Sequence, residues 1–214
     1  GRYQDLDDID LDYCTENSID VVRRITGGKA VLHEKELTYS FIIDKDEMPR
    51  SIIESYKIIS SAIIQGLRTL GLNPEMNSSK VENRDNPVCF QEQSFNELTI
   101  NRKKFVGSAQ VRRNGKLLQH GSILTGINTE KHSSCFKEKP ATDDLRERIT
   151  YIDIPEEKLK SAIKQGFSVY FNTGLNEISL SNRELTEVNE LARMKYKPED
   201  WRYGVQSSLP KAYI

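Results

Sequence analysis

The chain has 214 residues, of which 36% are hydrophobic and 29% are charged, and its formal net charge at pH 7 is −1. This length allows one domain with a well-buried core, and the balanced charge gives no support to a general role in binding nucleic acid or membranes. No apolar run could span a bilayer, and the acidic N-terminus is unlike a signal peptide. Three unclustered cysteines (Cys14, Cys89 and Cys135) argue against a disulfide framework and a metal site, and they favour a reducing, cytoplasmic setting.

The first third of the chain predicts short strands followed by one helix. Residues 19–43 are typical of three strands, at Ile19–Arg23, Lys29–His33 and Leu37–Ile43. After Pro49, apolar residues recur at helical spacing until Gly71, which predicts a helix with one packing face. The polar stretch 73–86 predicts a surface loop.

The rest of the chain predicts a hairpin and then helices. A strand is expected near Glu97–Ile100, and Asn114-Gly115 predicts a tight turn between strands at Phe105–Arg112 and Lys116–Leu124. Helices are expected over Asp143–Ile149 after a Thr142 cap, from Pro155, and from Ser181, where Ser181 and Glu184 fit a capping box. The order favours a single α+β domain over 1–214 with a mixed or antiparallel sheet, in which residues from about 140 onward could form a small helical appendage.

The segment around Thr26-Gly27-Gly28 is the first candidate site. Backbone amides exposed at paired glycines, beside Arg24 and Lys29, would suit a carbonyl or anionic group and a thin acyl chain. Taken alone, the segment is equally typical of a Gly-Gly hairpin with solvated basic residues.

A second candidate site follows the basic pair Lys103-Lys104. The small residues Gly107, Ser108 and Ala109 interrupt a strand, which indicates close packing against its backbone. With the turn at Asn114-Gly115, Gln110 and Gln119 should face each other across the hairpin. A lysine placed in a cleft here would stabilise an oxyanion, although an isolated lysine is more often solvated.

Cys89 is the candidate nucleophile. A lone cysteine is more often a small buried hydrophobic residue than a reactive one. Cys89, however, follows Pro87 in a polar loop and shortly precedes the basic cluster Arg102-Lys103-Lys104. A nearby cation favours the thiolate, which is the form that attacks acyl groups.

Together these segments resemble a known superfamily. The motifs are RRITGGKAVLHEKELTYS at 23–40, NPVCF at 86–90, KKFVGSAQ at 103–110 and LQHGSIL at 118–124. In this order they resemble the biotin/lipoate protein ligases and octanoyltransferases, and most closely the cysteine-dependent octanoyltransferases of the LipM type. The resemblance runs from the first residues to about Gly204. Members usually carry some forty further residues before the segment that matches Gly1-Arg2-Tyr3-Gln4, so a first strand and helix are expected to be missing or shortened here.

The resemblance implies an α+β fold around a narrow acyl tunnel and an octanoyl transfer from acyl carrier protein to a lysine of a lipoyl carrier domain, such as the glycine-cleavage H protein or an E2 subunit. It implies that Cys89 is the nucleophile and that Lys104, three residues before Gly107, holds the acyl carbonyl. No cofactor is expected. The expected acyl-site residues are Thr26, Gly27, Gly28 and His33, with Gly107, Ser108, Ala109, His120 and Gly121 completing the pocket wall.

Three alternatives stay open at the level of sequence. An ATP-dependent lipoate–protein ligase of the same fold would use Lys104 and the glycine turn to hold an acyl-adenylate, with Cys89 idle. A related class of octanoyltransferases places its nucleophilic cysteine after the His-Gly motif, and Cys135 could serve in that way. The segment Ser133-Ser134-Cys135-Phe136, however, lacks the Pro-Cys-Gly sequence of that class. A protein of this fold could also bind lipoyl domains without catalysis.

Overall fold

The computed structural model describes residues 1–77 and 97–204 of the chain. Five strands form an antiparallel sheet in the order β1-β5-β4-β3-β2. The strands are β1 (Glu36–Asp44), β2 (Glu75–Met76), β3 (Leu98–Ile100), β4 (Lys103–Arg113) and β5 (Lys116–Leu124). The helices are α1 (Leu11–Glu16), α2 (Ile52–Thr69), α3 (Thr129–Ser134), α4 (Thr142–Arg148), α5 (Glu156–Tyr170), α6 (Asn182–Leu191) and α7 (Glu199–Arg202). The predicted α+β class with an antiparallel sheet is confirmed.

The hairpin between β4 and β5 forms where the sequence predicts it. Asn114 and Gly115 have φ of 51° and 76°, the left-handed conformations that a two-residue hairpin turn requires. The register follows from this turn, and Gln110 lies opposite Gln119, with Gln110 Nε2 donating to Gln119 Oε1 at 3.0 Å. Both predictions for the hairpin are confirmed.

Helices α2 and α5 pack together against one face of the sheet. Ile59, Ile63 and Leu67 of α2 are completely buried in the main core, which also contains Leu159 and Phe167 of α5. The two helices meet through glycines: a Cβ at Gly66 would lie 2.3 Å from the Ala162 carbonyl oxygen, and one at Gly166 would lie 2.4 Å from that of Ala62. Backbone contact this close excludes any larger residue at either position.

The helix starts lie one to three residues from their predicted positions. Ser51 caps α2, so Pro49 precedes the helix rather than entering its first turn. Ala141 occupies the cap position of α4, and the predicted cap Thr142 is its first helical residue. The capping box at Ser181 and Glu184 is present as predicted.

The two strands predicted at Ile19–Arg23 and Lys29–His33 are wrong, because residues 19–33 run without regular strand structure. Arg23 gives the physical reason. Its Nη1 donates to the carbonyl oxygens of Gly1, Arg2 and Gln4 at 2.8–3.0 Å, and its Nε donates to that of Trp201 at 3.1 Å. Hydrogen bonds to distant loops, rather than a strand ladder, therefore anchor this segment.

The C-terminal helices differ in burial. Helix α5 belongs to the main core, whereas no residue of α6 is buried, and Leu185, Val188 and Leu191 are about half exposed there. Whether residues from about 140 onward form an appendage stays a prediction. In residues 1–77 and 97–204, no helix combines the length and apolarity that a bilayer-spanning segment needs.

Candidate active site

The glycine turn of the first motif is held by Arg24. Its Nη2 donates to the carbonyl oxygens of Gly27 at 3.0 Å and Lys29 at 2.8 Å, and its Nε donates to that of Gly27 at 3.2 Å. Gly28 has φ of 91°, and a Cβ there would lie 2.8 Å from Arg24 Nη2. A residue with a side chain would therefore disturb both the backbone and the guanidinium.

The first and fourth motifs meet through Thr26 and His120. Thr26 is completely buried, and its Oγ1 hydrogen-bonds His120 Nε2 at 2.6 Å, although 94 residues separate the two in sequence. Burial, followed by the positive charges of Arg24 and His33, lowers the pKa of His120 to about 4. His120 is therefore a neutral hydrogen-bonding group at physiological pH.

The sheet register divides the predicted pocket wall between two faces. Gly107 pairs with Ser122 and Ala109 with His120, so these residues share the face that Thr26 contacts. Ser108 pairs with Gly121 on the opposite face, which the helices cover.

On that covered face, Ser108 and Gly121 border a buried polar network. Ser108 Oγ hydrogen-bonds Tyr39 Oη at 2.6 Å, and Gln119 Nε2 donates to the same Tyr39 oxygen at 3.1 Å. A Cβ at Gly121 would lie 2.3 Å from the Gly107 carbonyl oxygen and 2.9 Å from the Tyr39 ring. In this structure Gly121 allows the strands and Tyr39 to approach closely, and of the predicted wall residues Gly107, Ala109 and His120 lie on the face that Thr26 contacts.

Lys104 is a fully buried cation. Its side chain is 0% exposed, and Nζ donates to Glu97 Oε1 at 2.5 Å, where the Glu97 side chain is 4% exposed. Lys103, by contrast, donates from Nζ to the Arg146 carbonyl oxygen at 2.7 Å near the surface. The structure thus separates the two neighbouring lysines. The carboxylate partner allows the Lys104 ammonium to stay charged although it is buried away from water.

The predicted nucleophile Cys89 lies outside the described residues, so its role stays a prediction. Cys135 is buried at the end of α3, and its Sγ donates to the Lys131 carbonyl oxygen at 3.2 Å. Burial, together with the neighbouring Cys14, raises the pKa of the Cys135 thiol to about 12. A thiol that stays protonated is a poor nucleophile, so this geometry disfavours Cys135.

Two acidic residues of this region were missed from sequence. Glu97 pairs with Lys104 across the turn between β3 and β4, where the register shifts between Leu98 and Thr99. Glu36 binds His33, since His33 Nδ1 donates to Glu36 Oε1 at 2.5 Å. The second pair was visible in principle as His33-x-x-Glu36. The pair of Glu97 and Lys104 depends on a β-bulge that no sequence pattern indicates.

Most of the chain matches a known protein family. The model of the lipoyl protein ligase A/B catalytic domain matches residues 1–170. The chain belongs to this family. Its similarity to octanoyltransferases LipM extends over 95% of the chain and 81% of each relative, with 35% identity for the protein of Geobacillus kaustophilus, 33% for that of Bacillus subtilis and 34% for that of Staphylococcus aureus.

Solved structures of the family show the same fold. A lipoate-protein ligase A bound with ATP is 28% identical with a TM-score of 0.81, and it covers 96% of this chain and 81% of its own. A protein of Thermoplasma acidophilum, described as a lipoate protein ligase and solved with lipoic acid, is 27% identical with a TM-score of 0.79. That match covers 95% of this chain and 80% of the other. The predicted superfamily and its fold are therefore confirmed.

Proposed function

We propose that this lipoyl protein ligase A/B family member is an octanoyltransferase of lipoate biosynthesis. The observation that carries the proposal is the 33–35% identity to octanoyltransferases LipM over four-fifths of their length. The octanoyl group would come from acyl carrier protein, and the acceptor would be a lysine of a lipoyl carrier domain, such as the glycine-cleavage H protein or an E2 subunit. The unclustered cysteines support a cytoplasmic location.

The mechanism we propose has two acyl transfers. The Cys89 thiolate attacks the thioester of the donor, and the donor thiol leaves as an octanoyl-Cys89 thioester forms. The acceptor lysine amine then attacks this thioester, a C–N bond replaces the C–S bond, and the Cys89 thiol is regenerated. The first step replaces the donor thioester by an enzyme thioester of similar energy, and the second replaces that thioester by a more stable amide. The two transfers therefore need no ATP.

Lys104 is suited to stabilise the charge that develops on the acyl oxygen. An ammonium in a site from which water is excluded interacts more strongly with an oxyanion than one in solvent does. Its pairing with Glu97 keeps the charge in place, at 2.5 Å, without exposing it to water. The six methylenes of an octanoyl chain would add about 0.8 kcal/mol each, or roughly 5 kcal/mol of anchoring, if a tunnel buries them completely.

The glycine turn and the neutral His120 would form the mouth of the acyl site. Thr26 and His120 hydrogen-bond each other, so their polar groups are satisfied and present an uncharged wall to an apolar chain. Arg24 donates to carbonyl oxygens of the turn itself, which supports a role in shaping the loop.

The second candidate function is an ATP-dependent lipoate–protein ligase. The structural similarity to a ligase solved with ATP and to one solved with lipoic acid favours it. Two observations argue against the ligase. The chain is more similar to octanoyltransferases, and it has a cysteine at position 89, which an adenylating ligase does not need for its reaction.

Intact-protein mass spectrometry separates the two functions. We expect the protein to gain the mass of one octanoyl group when mixed with octanoyl-acyl carrier protein without ATP. Cys89→Ser should abolish the adduct, and Cys135→Ser should retain it because that thiol is buried and protonated. A wild-type protein that gains no octanoyl group would contradict the transferase mechanism.

A further inference from the structure

A polar cluster lies where β1 begins, outside the groups that the mechanism above employs. Glu36 Oε1 accepts three hydrogen bonds there, from His33 Nδ1 at 2.5 Å, from Ser122 Oγ at 2.7 Å and from Thr38 Oγ1 at 2.8 Å. The register pairs Thr38 of β1 with Ser122 of β5, so both hydroxyls point to the same face of the sheet as the carboxylate. The strands therefore hold Glu36 in one orientation towards His33.

The Glu36 carboxylate is buried and ionised. Its side chain is 5% exposed, and burial alone would raise its pKa. The hydrogen bonds from His33, Ser122 and Thr38, together with the charge of His33, outweigh the burial and bring the pKa below its ordinary value. The second oxygen, Oε2, is buried and has no hydrogen-bond partner in the described part of the chain. Such a carboxylate is a strong acceptor for an imidazole N–H.

The His33 side chain, unlike that of Glu36, is 53% exposed, while its Nδ1 is hydrogen-bonded to Glu36. A neutral imidazole that donates from Nδ1 has its lone pair on Nε2, which is then the basic atom. A carboxylate behind a histidine fixes the ring, selects this tautomer and stabilises the imidazolium that forms when the ring takes a proton.

The cluster belongs to the region of the predicted acyl site. His120 lies two residues before Ser122 on β5, so both side chains share a face of the sheet. His33 Nδ1 lies 3.4 Å from Ser122 Oγ, which places His33 beside the strand that carries His120. His120, whose pKa burial lowers to about 4 and whose Nε2 is engaged in a hydrogen bond with Thr26 Oγ1, is too weak a base for proton transfer near neutral pH.

We propose that His33 is the general base for the acceptor amine and that Glu36 is its positioning residue. This inference rests on the proposed acyl transfer and names a group for its second step. As the lysine nitrogen attacks the thioester carbon, one N–H proton passes to His33 Nε2. The C–S bond then breaks with its electron pair on sulfur, and the imidazolium returns the proton to that sulfur. The products are an amide and a thiol, and no proton is gained or lost.

The test compares rates of octanoyl transfer to a lipoyl domain in matched variants. His33→Ala should lower kcat by about 10²–10³-fold, the usual contribution of a general base, with KM little changed. Glu36→Gln should lower kcat by about tenfold, as expected for loss of the group that orients a functional histidine. Glu34→Gln is the matched control, since it removes a carboxylate one residue from His33 that pairs instead with Lys131 at 2.9 Å.

Two further readouts distinguish a base from a structural residue. Added imidazole should restore part of the His33→Ala rate, because the exposed ring leaves a space that solvent can reach. Glu36→Gln should lower kcat with KM little changed, which a variant that only weakens acceptor binding would not show.

The outcomes are separable. A wild-type protein that forms no amide would contradict the proposed function and, with it, this inference. An active wild type with an equally active His33→Ala, or a His33→Ala rate that imidazole leaves unchanged, would contradict the inference alone. Thermal unfolding of each variant should match wild type, and a lowered rate in a variant that unfolds at the wild-type temperature supports the role in catalysis.

Discussion

The buried pair of Lys104 and Glu97 makes opposite predictions for single and paired substitutions. With side chains that are 0% and 4% exposed, replacing either partner leaves the other as an uncompensated buried charge. Lys104→Met or Glu97→Leu alone should cost about 3–5 kcal/mol of unfolding free energy. At about 2–4 °C per kcal/mol for a chain of this size, Tm should fall by roughly 6–20 °C.

The double variant Lys104→Met/Glu97→Leu should recover most of this loss. An apolar pair of similar volume is often as stable as the buried ion pair that it replaces, within a few kcal/mol. Octanoyl transfer should nevertheless stay abolished, because the ammonium that stabilises the oxyanion is gone. Stability and activity would thus separate in one protein.

Urea unfolding of the two single variants, the double variant and wild type measures this cycle. The pair between Lys116 and Asp44 gives the control, because its nitrogen and oxygen lie 2.6 Å apart with side chains 56% and 59% exposed. Lys116→Met should cost less than about 1 kcal/mol. Single variants at Lys104 and Glu97 that are as stable as wild type, or a double variant that loses the sum of both, would refute the reasoning.

Three further predictions concern other parts of the fold. Cys135 has a thiol pKa of about 12, so iodoacetamide at pH 8 should alkylate it only after unfolding in urea, and native labelling would contradict its burial. Gly121→Ala should lower Tm, because its Cβ would lie 2.3 Å from a carbonyl oxygen, whereas Gly174→Ala, with nothing within 4 Å, should not. Burial lowers the pKa of His132 to about 4, so the unfolded chain binds more protons below pH 6.5 and unfolding free energy should fall from pH 6.5 to 4. His132→Phe should make that part of the urea-unfolding profile less steep, and His120, whose pKa is also lowered to about 4, should keep part of the slope.

The strands and helices that the sequence predicts well are those whose signals are local. Asn114-Gly115 forms its turn from its own backbone preferences, and the apolar stripe of α2 reports one continuous packing face. The capping box at Ser181 is likewise complete within four residues. Each of these elements is specified by neighbours in sequence, so pattern and structure agree.

The misassigned residues 19–33 depend on distant partners. The β-branched residues there are typical of strands, but Arg23 binds backbone carbonyls at Gly1, Arg2 and Gln4 and at Trp201, near the far end of the described chain. No local pattern contains that information, since strand preference reflects what a segment packs against.

The site shows the same division. The order of the motifs assigns Thr26, Lys104 and His120 to one predicted acyl site. In the structure, Thr26 and His120 are in contact. The faces of Ser108 and Gly121 follow from the register of β4 and β5, which a list of motif residues does not encode. The partner Glu97 depends on a bulge in the neighbouring strand, and it becomes visible only in three dimensions.

The most direct test of octanoyl transfer is donor dependence. A lipoyl domain should be octanoylated when the wild-type protein is given octanoyl-acyl carrier protein without ATP, and mass spectrometry of the acceptor measures the product. Free octanoate with ATP and magnesium should give no octanoylated domain. The reverse pattern, with modification only from the free acid and ATP, would contradict the transferase account and show that this chain is a ligase.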